Sequence, residues 1–218
     1  MRTLTFSDIE FLIFAVRWTL LLSALAFAGG GTVGIIIALM RTSQQPILRF
    51  IAIAYIRVFQ GTPLLLQLFL VFFGGDLIGV GLGPWVSAML GLSLNAGAFL
   101  GEIWRGAIQG VPKGQIEAAR SLGLHYAPTM GKVVLPQALR LAVAPTVGFL
   151  VNLVKSTALA SILGFVELVR AGQLLNNATF RPFLIFSTVA AIYFIICWPL
   201  TVASRRSEER RVGKECRP

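Results

Sequence analysis

EAARSLGLHYAPTMGKVVLP, residues 117–136, is the stretch on which the reading of this chain turns. It is polar and lies between two apolar runs, so it interrupts a hydrophobic chain instead of crossing with it. Pro112 and Gly114 close the preceding helix, because proline and glycine both punctuate helical sequence. A short helix is expected from Gln115 through Leu122, with Ile116, Ala119, Leu122 and Gly123 forming one small, weakly apolar face. Ala118 and Ala119 permit close approach of another surface, and Gly123 can take the left-handed geometry that ends a helix. From periodicity alone two readings stand: a helical connector between two spans, or a docking element for a cytoplasmic partner.

The flanking sequence decides the compartment. Of 218 residues, 56% are hydrophobic and 13% charged, against about 25% charged in soluble domains, and the mean hydropathy is +0.79. This is an all-α polytopic membrane protein with one transmembrane domain, expected over residues 1–207. The formal charge of +10 does not argue for nucleic acid, because most Lys and Arg sit in short segments beside apolar spans. The N-terminus is not a cleaved signal: Asp8 and Glu10 stand where a basic region belongs, and the apolar run that follows is too long.

Roughly 20 apolar residues cross a hydrocarbon core of about 30 Å. Five segments qualify, over 18–40, 46–73 with Arg57 inside it, 84–101, 136–153 and 182–203. Pro46, Pro84, Pro136 and Pro182 each stand at a first turn, where a missing N–H costs nothing. Alternate loops carry 12 Lys and Arg on one side and 5 on the other. The loop 74–83 has no basic residue, whereas the segment from Arg105 to Lys132 has four. The positive-inside rule then puts the N-terminus outside, the C-terminus inside and the Glu117 segment in the cytoplasm.

Polar groups within the spans mark a second region. Gln60-Gly61-Thr62-Pro63 places a glycine and a proline near mid-bilayer, where Pro63 removes a hydrogen bond and disfavours helix at Thr62. Broken backbone at that depth must face protein or a wet cavity, and such breaks build transporter binding sites. A proline kink with Thr62 meeting the freed carbonyl is the plainer alternative. Gln67 and Asn95 face the bundle interior, either toward substrate or as links between helices. Glu102 and Arg105, spaced i, i+3, form an intrahelical pair or an inner gate. Segment 155–181 is expected to hold a short helix at the outer mouth, where Lys155, Ser156, Thr157 and Glu167 are candidates for the two ends of a zwitterion. Gly30 and Gly34 allow close helix packing.

Several blocks, taken together, resemble the polar amino acid subfamily of ABC-importer permeases. They are Glu117-Ala118-Ala119 with Gly123, Val133 and Leu135-Pro136; Gln60-Gly61-Thr62-Pro63-Leu64-Leu65 with Gln67-Leu68; Glu102-Ile103-Trp104-Arg105-Gly106 with Val111-Pro112-Lys113-Gly114-Gln115; and Lys155-Ser156-Thr157-Ala158-Leu159. The resemblance covers about residues 10–205. Val133 stands where the family more often has Ile, and Gln60 where it commonly has Arg, with Arg57 one turn earlier. The resemblance implies a type I importer permease with five transmembrane helices and a cytoplasmic coupling helix between the third and fourth. Glu117, Ala118, Ala119, Leu122 and Gly123 would meet an ATP-binding subunit. Gln60, Gly61, Thr62, Pro63, Gln67, Asn95, Lys155, Ser156, Thr157 and Glu167 are the candidates for the translocation pathway. It also implies a homodimer or a pair with a related permease, a periplasmic or lipid-anchored amino acid-binding protein, and a multi-pass place in a bacterial inner membrane.

The chain itself is not expected to be an enzyme. It has no Gly-x-x-x-x-Gly-Lys-Ser/Thr loop, no catalytic constellation and no cofactor motif. Cys197 and Cys216 lack Cys or His neighbours at metal-ligand spacing, and the lone His125 reads as a solvated or interfacial side chain. A secondary transporter run by an ion gradient predicts acids within the spans, and the first and fifth have none. A scaffold that binds a partner through the same loop is a further alternative. The basic tail, residues 208–218, is expected to be disordered or not native to the gene.

Overall fold

The structure, a computed structural model, describes residues 5–215, with side chains as far as Arg205. Among the described residues every regular element is helical. Helix α1 spans Phe6–Thr42, α2 Pro46–Gly61, α3 Leu64–Leu77, α4 Pro84–Gln109 and α5 Lys113–Ser121. A single turn, α6 (Tyr126–Thr129), runs through a π-helical stretch, Met130–Val134, into α7 (Leu135–Ser156). A 3-10 segment, Thr157–Leu163, leads to α8 (Leu168–Thr179) and then α9 (Pro182–Glu215). Four helices are long and apolar enough to cross a membrane, and α2 with α3 makes a fifth span bent by 104°.

Two span boundaries differ from the sequence expectation. Helix α1 starts well before Trp18, at Phe6, because Thr5 and Asp8 form a capping box in which the Thr5 N–H donates to Asp8 Oδ2 at 2.9 Å. At 1.5 Å per residue its 37 residues reach about 55 Å, more than the bilayer needs. Its early turns have a tertiary partner: Leu12 and Ala15 bury against Leu168, Ala171 and Leu175 of α8 and Ile185 and Val189 of α9. The fourth span, expected over 136–153, is helical from Tyr126 to Leu163. Pro136 lacks the N–H that would continue an α-helical ladder, and the chain accommodates it with the π turn just before.

The centre of the bundle is the α1–α4 contact. A Cβ added at Gly30 would lie 2.5 Å from the Ala96 Cβ, and one at Gly97 would lie 2.6 Å from Val33 Cγ1. Each helix offers small residues to the other's side chains, which brings the backbones close. Leu22 and Ala26 of α1, Leu68 of α3, Ala88, Leu92 and Ala96 of α4 and Leu153 of α7 form the largest buried cluster. Large side chains such as Ile36, Phe50, Leu70, Leu139 and Phe194 remain exposed on the outside, as a lipid-facing surface requires. The backbone of α9 stays helical past Ser207 to Glu215, and residues 216–218 of the tail lie outside the described residues.

Candidate functional site

The break between α2 and α3 is closed by side chains. Pro63 has no N–H for the Phe59 carbonyl one turn back, so that oxygen needs another donor. Gln67 Nε2 donates to it at 2.8 Å, and Asn95 Nδ2 approaches it from α4 at 3.3 Å. Gln67 Nε2 also donates to the Thr62 carbonyl at 3.0 Å and to Thr62 Oγ1 at 2.9 Å. Thr62 Oγ1 in turn donates to the Val58 carbonyl at 2.7 Å, and Asn95 Nδ2 donates to Gln67 Oε1 at 3.0 Å. Gln67 and Asn95 are both buried. The sharp bend is therefore stabilised in an apolar surrounding by donors to the Val58, Phe59 and Thr62 carbonyls. Gln60 Nε2 fastens the end of α2 to the Ala98 carbonyl at 3.3 Å.

Beside this bend lies a cavity of about 300 Å³, lined by α2, α3, α4 and α7. Gln60, Thr62, Asn95 and Ser156, four of the pathway candidates, line it together. Gly61 and Pro63 form the bend itself, and Gln67 sits behind it as the carbonyl donor. Sequence reasoning missed Asn152, which also lines the cavity. The signal was available, since Asn152 precedes Ser156 by one helical turn and shares its face. Phe59, Phe99 and Phe149 complete the wall, with the Phe99 and Phe149 rings stacked 5.5 Å apart.

The structure does not bring the four expected zwitterion contacts together. Ser156 reaches the cavity, with its hydroxyl donating to the Asn152 carbonyl at 2.9 Å. Lys155 faces a separate groove between α7, α8 and α9, together with Tyr193 and Cys197. Thr157 is fully buried and donates to the Val154 carbonyl at 2.7 Å. Glu167 is also fully buried and serves as the N-cap of α8: its carboxylate accepts from the Val169 and Arg170 N–H groups at 2.9 and 2.8 Å and from the Tyr193 hydroxyl at 3.1 Å. Burial raises this carboxyl above its ordinary value while the three donors pull it down. Segment 155–181, expected to hold a short helix, holds the 3-10 stretch and α8, divided at Gly164 (φ 89°).

Near the C-terminal end of α4, Arg105 Nε donates to Glu102 Oε2 at 2.9 Å, and its Nη2 contacts the other carboxylate oxygen. Arg41, in the last turn of α1, stands 3.9 Å from the same carboxylate. The pair is therefore intrahelical and also ties α1 to α4, a link between residues too far apart in sequence for spacing to suggest it.

The polar segment that follows has a different construction. Helix α4 ends at Gln109, and α5 begins at Lys113 after Pro112, so Gly114 lies inside the short helix and does not end the previous one. Gly123 takes φ 75°, with its N–H bonded to the Arg120 carbonyl and the Leu124 N–H to the Ala119 carbonyl. This pair of bonds satisfies the last carbonyls of α5, and the positive φ explains the glycine. The expected single apolar face is split. Ala119 is buried and Ile116 packs against Val111, Val134 and Ala138, while Leu122, beyond the helical turns, is 80% exposed. Glu117, Ala118, Gly123, His125 and Tyr126 are exposed with it.

The same architecture occurs in known proteins. The family model described as binding-protein-dependent transport system inner membrane component matches residues 30–212. This chain belongs to that family. A probable amino-acid ABC transporter permease of Bacillus subtilis is 36% identical over 89% of this chain and 86% of its own length. The glutamine transport system permease of Escherichia coli K12 is 34% identical, with 93% of each chain covered. A solved amino acid ABC transporter crystallised with histidines superposes with a TM-score of 0.89 at 33% identity, over 96% of this chain and 100% of that one. The chain is thus the membrane-spanning permease subunit of an ABC importer, a multi-pass inner-membrane component with the type I importer fold.

Proposed function

We propose that this permease subunit passes a polar amino acid through the cavity beside the α2–α3 bend, powered by ATP hydrolysis on a separate cytoplasmic subunit that seats α5. The observation that carries this reading is the convergence of Gln60, Thr62, Asn95, Asn152 and Ser156 around one cavity at a broken span. Its relatives named as amino-acid permeases support the cargo class. The excess of Lys and Arg on one side supports a cytoplasmic α5, with the N-terminus outside and the C-terminus inside. Exposed Glu117, Ala118 and Leu122 supply the contact for the ATPase, with Ala119 and Ile116 anchoring the helix from beneath. A second permease copy or close relative completes the membrane assembly, and an extracytoplasmic binding protein delivers the amino acid.

The test is uptake into proteoliposomes holding the permease, its ATPase and its binding protein. ATP-dependent accumulation of an amino acid is expected, and Glu117→Arg should uncouple it while leaving the membrane subunit folded. Accumulation that proceeds without ATP under an ion gradient sinks the proposal.

A further inference from the structure

The cavity beside the bend carries no charge. Its polar lining consists of the carboxamides of Gln60, Asn95 and Asn152 and the hydroxyls of Thr62 and Ser156, set among Phe59, Leu64, Phe99, Phe149 and Leu153. The neighbouring charges lie elsewhere. Lys155 lines the groove on another side of α7, Arg57 is exposed on α2, and Glu167 is buried in the cap of α8. A side chain bearing a full charge finds no counter-charge on this lining, a lack that costs more the deeper the site lies in the membrane. Amide and hydroxyl groups instead present donors and acceptors together, which match a neutral polar side chain.

Part of this lining is available to a ligand. Among the described residues the Asn152 carboxamide has no hydrogen-bonding partner, and only the amide nitrogen of Asn95 is engaged. The two half-helices meeting at the bend answer the charges common to every amino acid. Helix α3 begins at Leu64, in the cavity wall, with no side-chain cap on its first N–H groups, while α2 ends there with its carbonyl end. An α-carboxylate and an α-ammonium are thereby met by opposite partial charges, and nothing comparable serves a third charge.

We infer that this cavity admits amino acids whose side chains carry no net charge and disfavours both cationic and anionic ones. The inference rests on the proposed passage of an amino acid through this cavity. It is tested with the intact permease–ATPase complex in detergent, without the binding protein, so that only the permease's own discrimination is read. Radiolabelled glutamine, arginine and glutamate serve as probes. Glutamine is expected to bind at least about tenfold more tightly than the other two, and Asn152→Asp should bring arginine to within about threefold of glutamine. Ser156→Asp, one turn further along the same wall, is the second charged variant should Asn152→Asp fail to assemble. Arginine or glutamate binding as tightly as glutamine overturns the inference, as does an assembled charged variant whose order of preference is unchanged. Binding of none of the three removes both the cavity as a substrate site and the inference, whereas ATP-driven uptake surviving that result leaves the permease assignment standing.

Discussion

The α2–α3 bend and the end of α5 both interrupt a helix, and they solve the same backbone problem in opposite ways. At the bend, side chains from α3 and α4, Gln67 and Asn95, meet the Phe59 and Thr62 carbonyls. At Gly123 the backbone closes on itself, and the neighbouring side chains of Glu117, Leu122 and Tyr126 are left exposed. The difference follows from the solvent. Water can serve loose polar groups beside α5, but nothing in hydrocarbon can, so the bend has to carry its own donors. What is left over at each place is also different: an uncharged cavity at the bend, and an exposed surface at α5.

The contrast can be broken in order of expected effect. Leu122→Asp puts a charge into the proposed ATPase contact and should weaken ATPase binding by about 30-fold, the scale of a 2 kcal/mol interface hot spot, with unchanged thermal unfolding of the permease. Loss of folding in that variant would place Leu122 in the protein's own core, against its exposure. Gln67→Leu keeps the volume but takes the side-chain donor from the Thr62 carbonyl and leaves the Phe59 carbonyl with only the longer Asn95 contact. It should lower stability by about 2 kcal/mol, seen as earlier thermal unfolding in detergent. Thr62→Val removes a single donor from the same network and should cost about 1 kcal/mol by the same measurement. A cost as large as that of Gln67→Leu would mean that Thr62, not Gln67, holds the bend together. His125→Ala, on the exposed side of the α5–α6 turn, should leave stability within about 0.5 kcal/mol, and its unfolding midpoint is the check.

Much of this was legible in the chain as written. The spans showed as apolar length, and the α5 turn as Gly123 after Glu117-Ala118-Ala119. The bend was legible as Gly61-Thr62-Pro63, because proline geometry acts within one turn. What donors would repair it was not, since the Asn95 contact to Gln67 joins residues 28 apart in sequence. Glu167 illustrates the limit from the other side. Its charge suggested a ligand contact, but the chain buries it as a helix cap held by Tyr193. The long reach of α1 toward Phe6 was likewise hidden, because Leu12 and Ala15 find their partners only on α8 and α9.

By itself, the sequence determined a helical membrane protein, the positions of its spans and the two places where helices had to stop. Those properties depend on local composition and on charges counted along the chain. Only the tertiary structure decided which polar groups share the cavity, that Lys155 turns away from it, and that Gln67 supports the bend. Those outcomes depend on which helix faces meet. The close approach of α1 to α4 at Gly30 and Gly97 brings together residues that no periodicity along one strand of sequence can pair.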